Sequence, residues 1–478
     1  MPLFTIKNQS STYFLILSCI TLLALCVVSL TNGFFWDTIQ LGSKHANYFY
    51  QNDFSHLILP NDIDSGHIPA FGMYLGLIWK LFGRDIIVSH LAMLPFMIGI
   101  IWQLSKLAKH YIGKDKYGLS VLLILIDPTL LSQMALISPD IVLVCFLIMS
   151  WNAIIRNRKK TLMLAILLLF LTSMRGIMVA FCLLFVDLIY NVNFKNSFNT
   201  TIHSLIKRSV IYLPSLIVFI SFSLYHYHMT GWIGFHDEST WADCFERVDA
   251  KGLVFNLGIL GWRIIDFGRI GIWVIFGILF LKYRKHILKE KQTKYMLIIL
   301  VCFIILLPAN MIWAKNLLAH RYLLPIYLIF SILVANILFS SFIQKTLRNV
   351  LISVWIMSLI SGNFWIYPDK LSQGWDSTLA HLPYYKLRNN AISYIDQQQI
   401  DIKNVHSFFP NLSVIDDMDL NNDYRRFKPY KHGAEYILYS NIYNISDEIY
   451  DTIHEKYDLV KEYKSHSIFV HILKKKED

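Results

Sequence analysis

Acids and cations recur at a few places along an otherwise apolar chain. Trp36-Asp37 follows an uncharged run, and Asp64-Ser-Gly-His67-Ile-Pro69 precedes a Tyr- and Leu-rich stretch. Asp127-Pro128 and Pro139-Asp140 bracket a short segment, and Arg175 stands between two apolar runs. Lys315 and then His320-Arg321-Tyr322 lead into another run, with Pro325 one turn on. A carboxylate can take a proton from a reacting hydroxyl. A guanidinium fork holds an oxyanion and stays charged at any relevant pH. Together these residue types would act on one substrate while holding a second, anionic one.

The elements that must position them are membrane spans. The chain has 478 residues, 55% of them hydrophobic and 16% charged, where soluble domains carry roughly 25% charged residues. Tyr13–Asn32 has no charge, and about 20 such residues cross a hydrocarbon core of roughly 30 Å as a helix. It does not read as a cleaved signal, because Lys7 is its only positive flank, no small-x-small site follows, and more spans come after it. Further apolar runs centre near Leu94, Leu123, Val144, Leu167, Phe181, Ile217, Val274, Ile304, Ile329 and Trp355. The expected fold class is an α-helical multi-pass membrane protein with about eleven transmembrane helices. No paired half-helices are expected.

Lysine and arginine orient the spans, because short cytoplasmic loops retain positive charge. Residues 1–12, 104–116, 156–160, 191–208, 282–294 and 344–348 hold 20 Lys and Arg against Asp115 and Glu290 alone. The opposite loops, Gly33–Gly83 and Thr230–Leu257, are acidic on balance. This puts the N-terminus in the cytoplasm and the long loops outside. Ile68–Phe82 is apolar, yet counting it as a span would break the alternation, so it reads as an amphipathic helix at the outer interface. Residues 1–367 thus form a membrane domain with a first outer loop at 33–83.

From Pro368 onward there are 14 Lys and Arg and 17 Asp and Glu, and the apolar runs shorten. Val405–Phe409, Glu435–Tyr439 and Ser467–Leu473 read as strands, and Asn389–Gln399 and Asp447–Tyr457 as helices. An odd number of spans makes 368–478 a small extracytoplasmic α/β domain. Five of the six cysteines lie in spans and Cys244 in an outer loop, so no disulfide framework, thiol metal site or redox chemistry is indicated. The net charge of +11 is concentrated on the cytoplasmic side. It is a signature of topology and says nothing of nucleic acid, and no nucleic-acid partner is expected. Ionisable groups inside a bilayer cost about 2.5–3.5 kcal/mol each at the helix centre, and here they gather at the outer ends of the spans instead.

The order of these motifs resembles a known family. Trp-Asp stands just after span one, then Asp-x-x-His-x-Pro before a helix ending Leu81-Phe82-Gly83. Asp-Pro and Ser-Pro-Asp follow around 127–140, and later His-Arg-Tyr-Leu-Leu-Pro at His320–Pro325. The chain is similar to the polytopic glycosyltransferases that use lipid-phosphate sugars, the protein O-mannosyltransferase and lipid A aminoarabinose transferase relatives with the GT-C fold. The resemblance covers about residues 13–367 in topology. It implies inverting transfer of a sugar from a polyprenyl-phosphate donor to an extracytoplasmic acceptor, which is a glycan, a lipid or a protein. By the same resemblance Asp37 is the general base and Asp140 the acid of the second outer loop. Thr38 follows Asp37 where protein mannosyltransferases have Glu, which weighs against a protein acceptor. Ile68-Pro69 replaces the usual Pro-Pro pair.

The chemistry is coherent beside the resemblance. A single displacement needs one carboxylate for the acceptor proton. A phosphate leaving group needs cations rather than an acid. Arg321, Arg175 and Lys315 are the candidates for holding phosphate, with His320, Tyr322, His67 and Asp64 as further substrate-binding candidates. Each has a plainer reading. Asp37 would be a solvated loop acid, Asp140 a helix cap, Arg321 and Arg175 headgroup anchors, and Asp64 and His67 turn residues. The loop Tyr225–Glu246, with His226, His228, His236, Asp237 and Glu238, lacks a recognised helical ligand pair. It reads as an acceptor entrance flanked by Trp232 and Trp241. No metal ligands or cofactor are assigned, and a divalent metal stays open. Asp266 and Arg269, just before Ile270, stand close enough in sequence to pair with each other and are assigned no role. Two other classes remain, a polytopic transporter or lipid flippase and a membrane anchor displaying the tail. Multi-pass location in the inner or plasma membrane is common to all three.

Overall fold

The computed structural model describes residues 9–477 except 238, 240, 241 and 317. Lys7, Glu238 and Trp241, named above, lie outside the described residues. Each of the eleven apolar centres falls in a helix. Six helices are long and apolar enough to cross a bilayer, among them Ile86–Tyr111, Met174–Asn191 and His320–Leu338. Two bent pairs raise that number to eight. The centres at Val144, Leu167 and Trp355 lie in Pro139–Ile155, Lys159–Thr172 and Lys345–Gly362, which fall short of that length and apolarity. Among the described residues six to eight spans therefore meet this length and apolarity, and the remaining apolar centres lie in helices that are shorter or less apolar. Helices are forced on such segments because lipid offers the backbone no hydrogen-bond partner.

The bent pairs correct the expectation of unbroken spans. Tyr117–Leu125 turns by 72° into Pro128–Ala135, and Ala250–Ile265 by 84° into Arg269–Ile287. The first bend has a local cause. Asp127 accepts from the backbone N–H groups of Thr129 and Leu130 and starts a new helix with Pro128 in its first turn. At the second, Gly268 has φ +80, and a Cβ there would lie 1.9 Å from the Ser358 carbonyl oxygen. Only glycine lets helix Lys345–Gly362 come that close. The two bends are joined. Arg269 Nε and Nη2 donate to Asp127 Oδ2 and Oδ1, each at 2.8 Å, with both side chains only 3% exposed. Arg269 reaches Asp266 only at its backbone carbonyl, 3.2 Å from Nη1. The Asp266–Arg269 side-chain pair that the spacing allows is therefore replaced by Asp127–Arg269.

The first outer loop is largely helical, with a π-helix at Ile39–Lys44 running into His45–Gln51, then Ala70–Phe82. The last buries Phe71, Leu75 and Trp79 and exposes Leu77, Leu81 and Phe82, so it is apolar on both faces and not, as expected, amphipathic. Past residue 367 a five-stranded sheet comprises β1 (Val405–Ser407), β2 (Lys428–Pro429), β3 (Tyr436–Ser440), β4 (Tyr457–Ser465) and β5 (Ile468–Lys475). Its order is β2-β1-β3-β5-β4. β1 is parallel to β2 and β3, and the other pairs are antiparallel. Helices Tyr384–Gln397 and Asp447–Lys456 accompany it. β2 and the charged edge strand β4 were not expected.

Three contacts fasten this part to the first outer loop. Phe34 N–H donates to the Met418 carbonyl at 2.7 Å. Arg84 pairs with Asp416 at 2.5 Å, and Asn47 donates to Asp417 at 3.2 Å. At Gly33 a Cβ would stand 2.6 Å from the Met418 carbonyl oxygen, so no larger residue fits beneath that strap.

Candidate active site

Four chain segments reach their ends at one place. Asp37 lies just past helix Gln9–Ser29. Asp140 is in the first turn of Pro139–Ile155, where Ser138 accepts from the Asp140 N–H. Arg175 is in the first turn of Met174–Asn191, capped by Ser173. Arg321 lies in the 3-10 turn His320–Leu323 that feeds Leu324–Leu338 through Pro325. Proline and small hydroxyl caps fix where each helix begins, and so set the depth of each charged side chain.

These ends converge on Arg321. Its Nη2 is hydrogen-bonded to Asp37 Oδ2, and its Nη1 lies 3.5 Å from Asp140 Oδ2. Arg175 donates to Asp140 Oδ1. Both guanidinium groups lie against the Tyr322 ring, at 4.2 Å for Arg175 and 4.9 Å for Arg321. The Asp37 side chain is 17% exposed, against 2% for Asp140 and 4% for Arg321. Asp37 is thus the one of these two acids that solvent or a second substrate can reach. Asp140 Oδ2 is buried with no hydrogen-bond partner. It lines a narrow cleft whose polar end is Asp140, Arg175, Arg321 and Tyr322 and whose walls are Leu143, Val144, Val179, Leu324 and Pro325.

A third carboxylate completes the cluster, and the sequence reading missed it. Asp376 Oδ2 lies 2.9 Å from Arg321 Nε, off the N–H axis, so the contact is one of charge. Asp376 is 5% exposed, and burial raises its carboxyl above the usual carboxylate range, against the pull of Arg321. One signal was available. Trp375-Asp376-Ser377 repeats the Trp-Asp-hydroxyl pattern of Trp36-Asp37-Thr38.

The other candidates lie outside this network of ion pairs, with His67 close enough to Arg175 to feel its charge. Lys315 pairs with Glu246 at 2.7 Å, both more than half exposed, so it ties two loops together and does not reach the cluster. His320 points away from Arg321, its Nε2 2.6 Å from Asp266 Oδ2. Tyr367 and Arg263 close that second polar group. Asp64 accepts from Gly66 N–H at 2.8 Å and meets His226 Nε2 at 2.9 Å, a turn residue anchoring the outer loop. His67 Nδ1 lies 3.1 Å from the Ile68 carbonyl, and burial lowers its pKa. Among the described residues no group of three or more His, Cys, Asp or Glu is arranged to hold a metal ion. Trp232 meets His226 edge-on and His236 at a tilt.

Beside Asp37 the surface is aromatic. Trp36 has φ +51, a left-handed conformation that a bulky residue adopts only under constraint. Its ring meets Phe409 edge-on at 5.3 Å, and Phe409 is 45% exposed.

No family model and no curated protein matches the chain. Solved structures do. ArnT from Cupriavidus metallidurans bound to undecaprenyl phosphate aligns with a TM-score of 0.53 at 13% identity, over 96% of this chain and 98% of that one. Its apo state aligns with the same score at 12% identity, over 97% and 98%. The chain has the ArnT fold. ArnT is a lipid A aminoarabinose transferase of the GT-C fold. The α-helical multi-pass membrane architecture with a small C-terminal sheet therefore extends over nearly the whole chain, beyond the 13–367 of the resemblance.

Proposed function

We propose that the chain is a membrane glycosyltransferase that moves a sugar from a polyprenyl-phosphate donor to an extracytoplasmic acceptor with inversion. The observation that carries this is the joining of Asp37, Asp140, Arg175 and Arg321 into one cluster at the mouth of an apolar-walled cleft. Undecaprenyl phosphate in the ArnT of like fold supplies the donor class.

In this reading the donor phosphate is held toward Arg175, at the polar end of the crevice. Arg175 is the better phosphate ligand of the two arginines, being 15% exposed with a single carboxylate partner. Arg321 is nearly enclosed and orients the acids. Asp37 takes the proton of the acceptor hydroxyl as that oxygen attacks the anomeric carbon and the bond to phosphate breaks. The departing phosphate keeps the bonding electrons, and its added charge is met by guanidinium. Trp36 and Phe409 offer a flat apolar face to an acceptor sugar. Membership of the inner or plasma membrane, with residues 368–478 extracytoplasmic, belongs to the same reading.

Bent helices are also a habit of transporters, which place them around a midplane site. Here the two bends are joined to each other by the buried Asp127–Arg269 pair. The test is transfer of radiolabelled sugar from polyprenyl-phosphate donors by the purified full chain. Transfer to a saccharide or lipid acceptor supports the reading. Movement of substrate across liposomes without transfer would replace it with a transporter.

A further inference from the structure

The third carboxylate on Arg321 comes from a segment that does not need it for docking. Residues 376–378 are held to helix Pro128–Ala135 through their backbone carbonyls. Ser132 Oγ donates to the Asp376 and Thr378 carbonyls at 2.8 and 3.0 Å, and Gln133 Nε2 to that of Asp376 at 2.7 Å. Thr129 Oγ1 donates to the Ser377 carbonyl at 3.0 Å. The Asp376 side chain makes one hydrogen bond of its own, from the neighbouring Ser377 Oγ at 3.0 Å, and otherwise faces Arg321. Burying an anion costs free energy unless its environment repays it, and the segment would sit in the same place with an uncharged residue.

The charge count gives the carboxylate a task. Asp37, Asp140 and Asp376 face Arg321 and Arg175, a formal balance of −1 with all five ionised. Without Asp376 the balance is zero. The neighbouring Arg263–Asp266 pair, 3.8 Å apart, adds nothing net. A sugar-phosphate-lipid donor is a phosphodiester with one negative charge. The polyprenyl phosphate left after transfer is a monoester with up to two. A site with two guanidinium groups and two acids would retain that product more tightly than its donor.

We propose that Asp376 is a positioning residue that holds Arg321 toward Asp37 and keeps it from being captured by the monoester product, so that product leaves. The inference rests on the glycosyltransferase reading and deepens it. It also gives the segment that follows helix Lys345–Gly362 a share in the site.

The experiment uses the full-length protein in nanodiscs and undecaprenyl phosphate itself as probe. Wild type, Asp376→Asn and Asp376→Glu are compared for equilibrium binding and for steady-state transfer. Asp376→Asn is expected to bind undecaprenyl phosphate roughly five- to fiftyfold more tightly, the screened effect of removing one like charge near the anion. Its kcat is expected to fall while its KM for donor falls too, and Asp376→Glu restores both toward wild type. A merely structural residue would weaken binding and turnover together. Unchanged or weaker binding by a folded Asp376→Asn overturns the inference while the wild type still binds. A wild type that does not bind undecaprenyl phosphate overturns the function reading and the inference with it.

Discussion

Arg321 and Asp37 are hydrogen-bonded across 284 positions of sequence. The acid stands beyond the first helix and the cation begins the helix Leu324–Leu338, so the pair closes the bundle on itself at the site. Asp37 keeps an exposed edge while Arg321 is enclosed. One residue is thus open to solvent and the other is fixed to hold it.

Lysine cannot replace that arginine. Arg321 meets Asp37 through Nη2, Asp140 through Nη1 and Asp376 through Nε, and an ammonium offers no such fork. Arg321→Lys should keep its charge and its fold yet lose roughly 10²-fold in kcat, the scale of removing one preorganised electrostatic group. Radiolabelled transfer beside a melting curve measures both. Near-wild-type turnover would mean that charge alone suffices.

Asp376 has a pH signature. Burial lifts its carboxyl above the ordinary value of 3.8. An acid raised by folding adds stability while protonated, and that contribution is lost as pH rises through the raised value. Arg321 retains Asp37 and Asp140 when Asp376 becomes Asn, so no buried cation is orphaned. At pH 7.5 Asp376→Asn should melt at or above the wild-type temperature, with the difference shrinking toward pH 4. A variant clearly less stable at pH 7.5 contradicts this.

The strap between the outer loop and the tail should be separable from the chemistry. Arg84 is 12% and Asp416 5% exposed, so breaking the pair with Arg84→Ala should cost about 2–3 kcal/mol, below the figure for a fully buried pair. Amide exchange at 415–420 should quicken more than exchange at 140–150. Uniform quickening would show that the contact is not local.

Phe409 tests the acceptor side. Phe409→Ala should raise KM for a saccharide acceptor about threefold to tenfold, the worth of one stacking contact, with undecaprenyl phosphate binding unchanged. Weakened lipid binding instead would move Phe409 to the donor side.

Much of this cluster of charged side chains could be read from the sequence, for a physical reason. Asp37, Asp140, Arg175 and Arg321 stand at the ends of apolar runs, where a charge is conspicuous against its neighbours and the span fixes its depth. Asp376 lacked that contrast, being one of 17 acids in a tail whose composition is that of a solvated domain. Its burial depends on Ser132 and Gln133, which read as ordinary residues of a turn. The bends failed to show for a related reason. Asp127-Pro128 is as good a helix start as a turn, and the partner that closes it, Arg269, lies 142 positions away. Lys315 was placed by proximity in sequence to Arg321, and a loop pairing with Glu246 took it elsewhere.

The central claim is that Asp37 removes the acceptor proton. Radiolabelled sugar transfer from a polyprenyl-phosphate donor by wild type and Asp37→Asn, at equal amounts of folded protein, tests it most directly. The account predicts a loss of roughly 10²–10⁴-fold in kcat with undecaprenyl phosphate still bound. A folded Asp37→Asn that transfers as fast as wild type would contradict it.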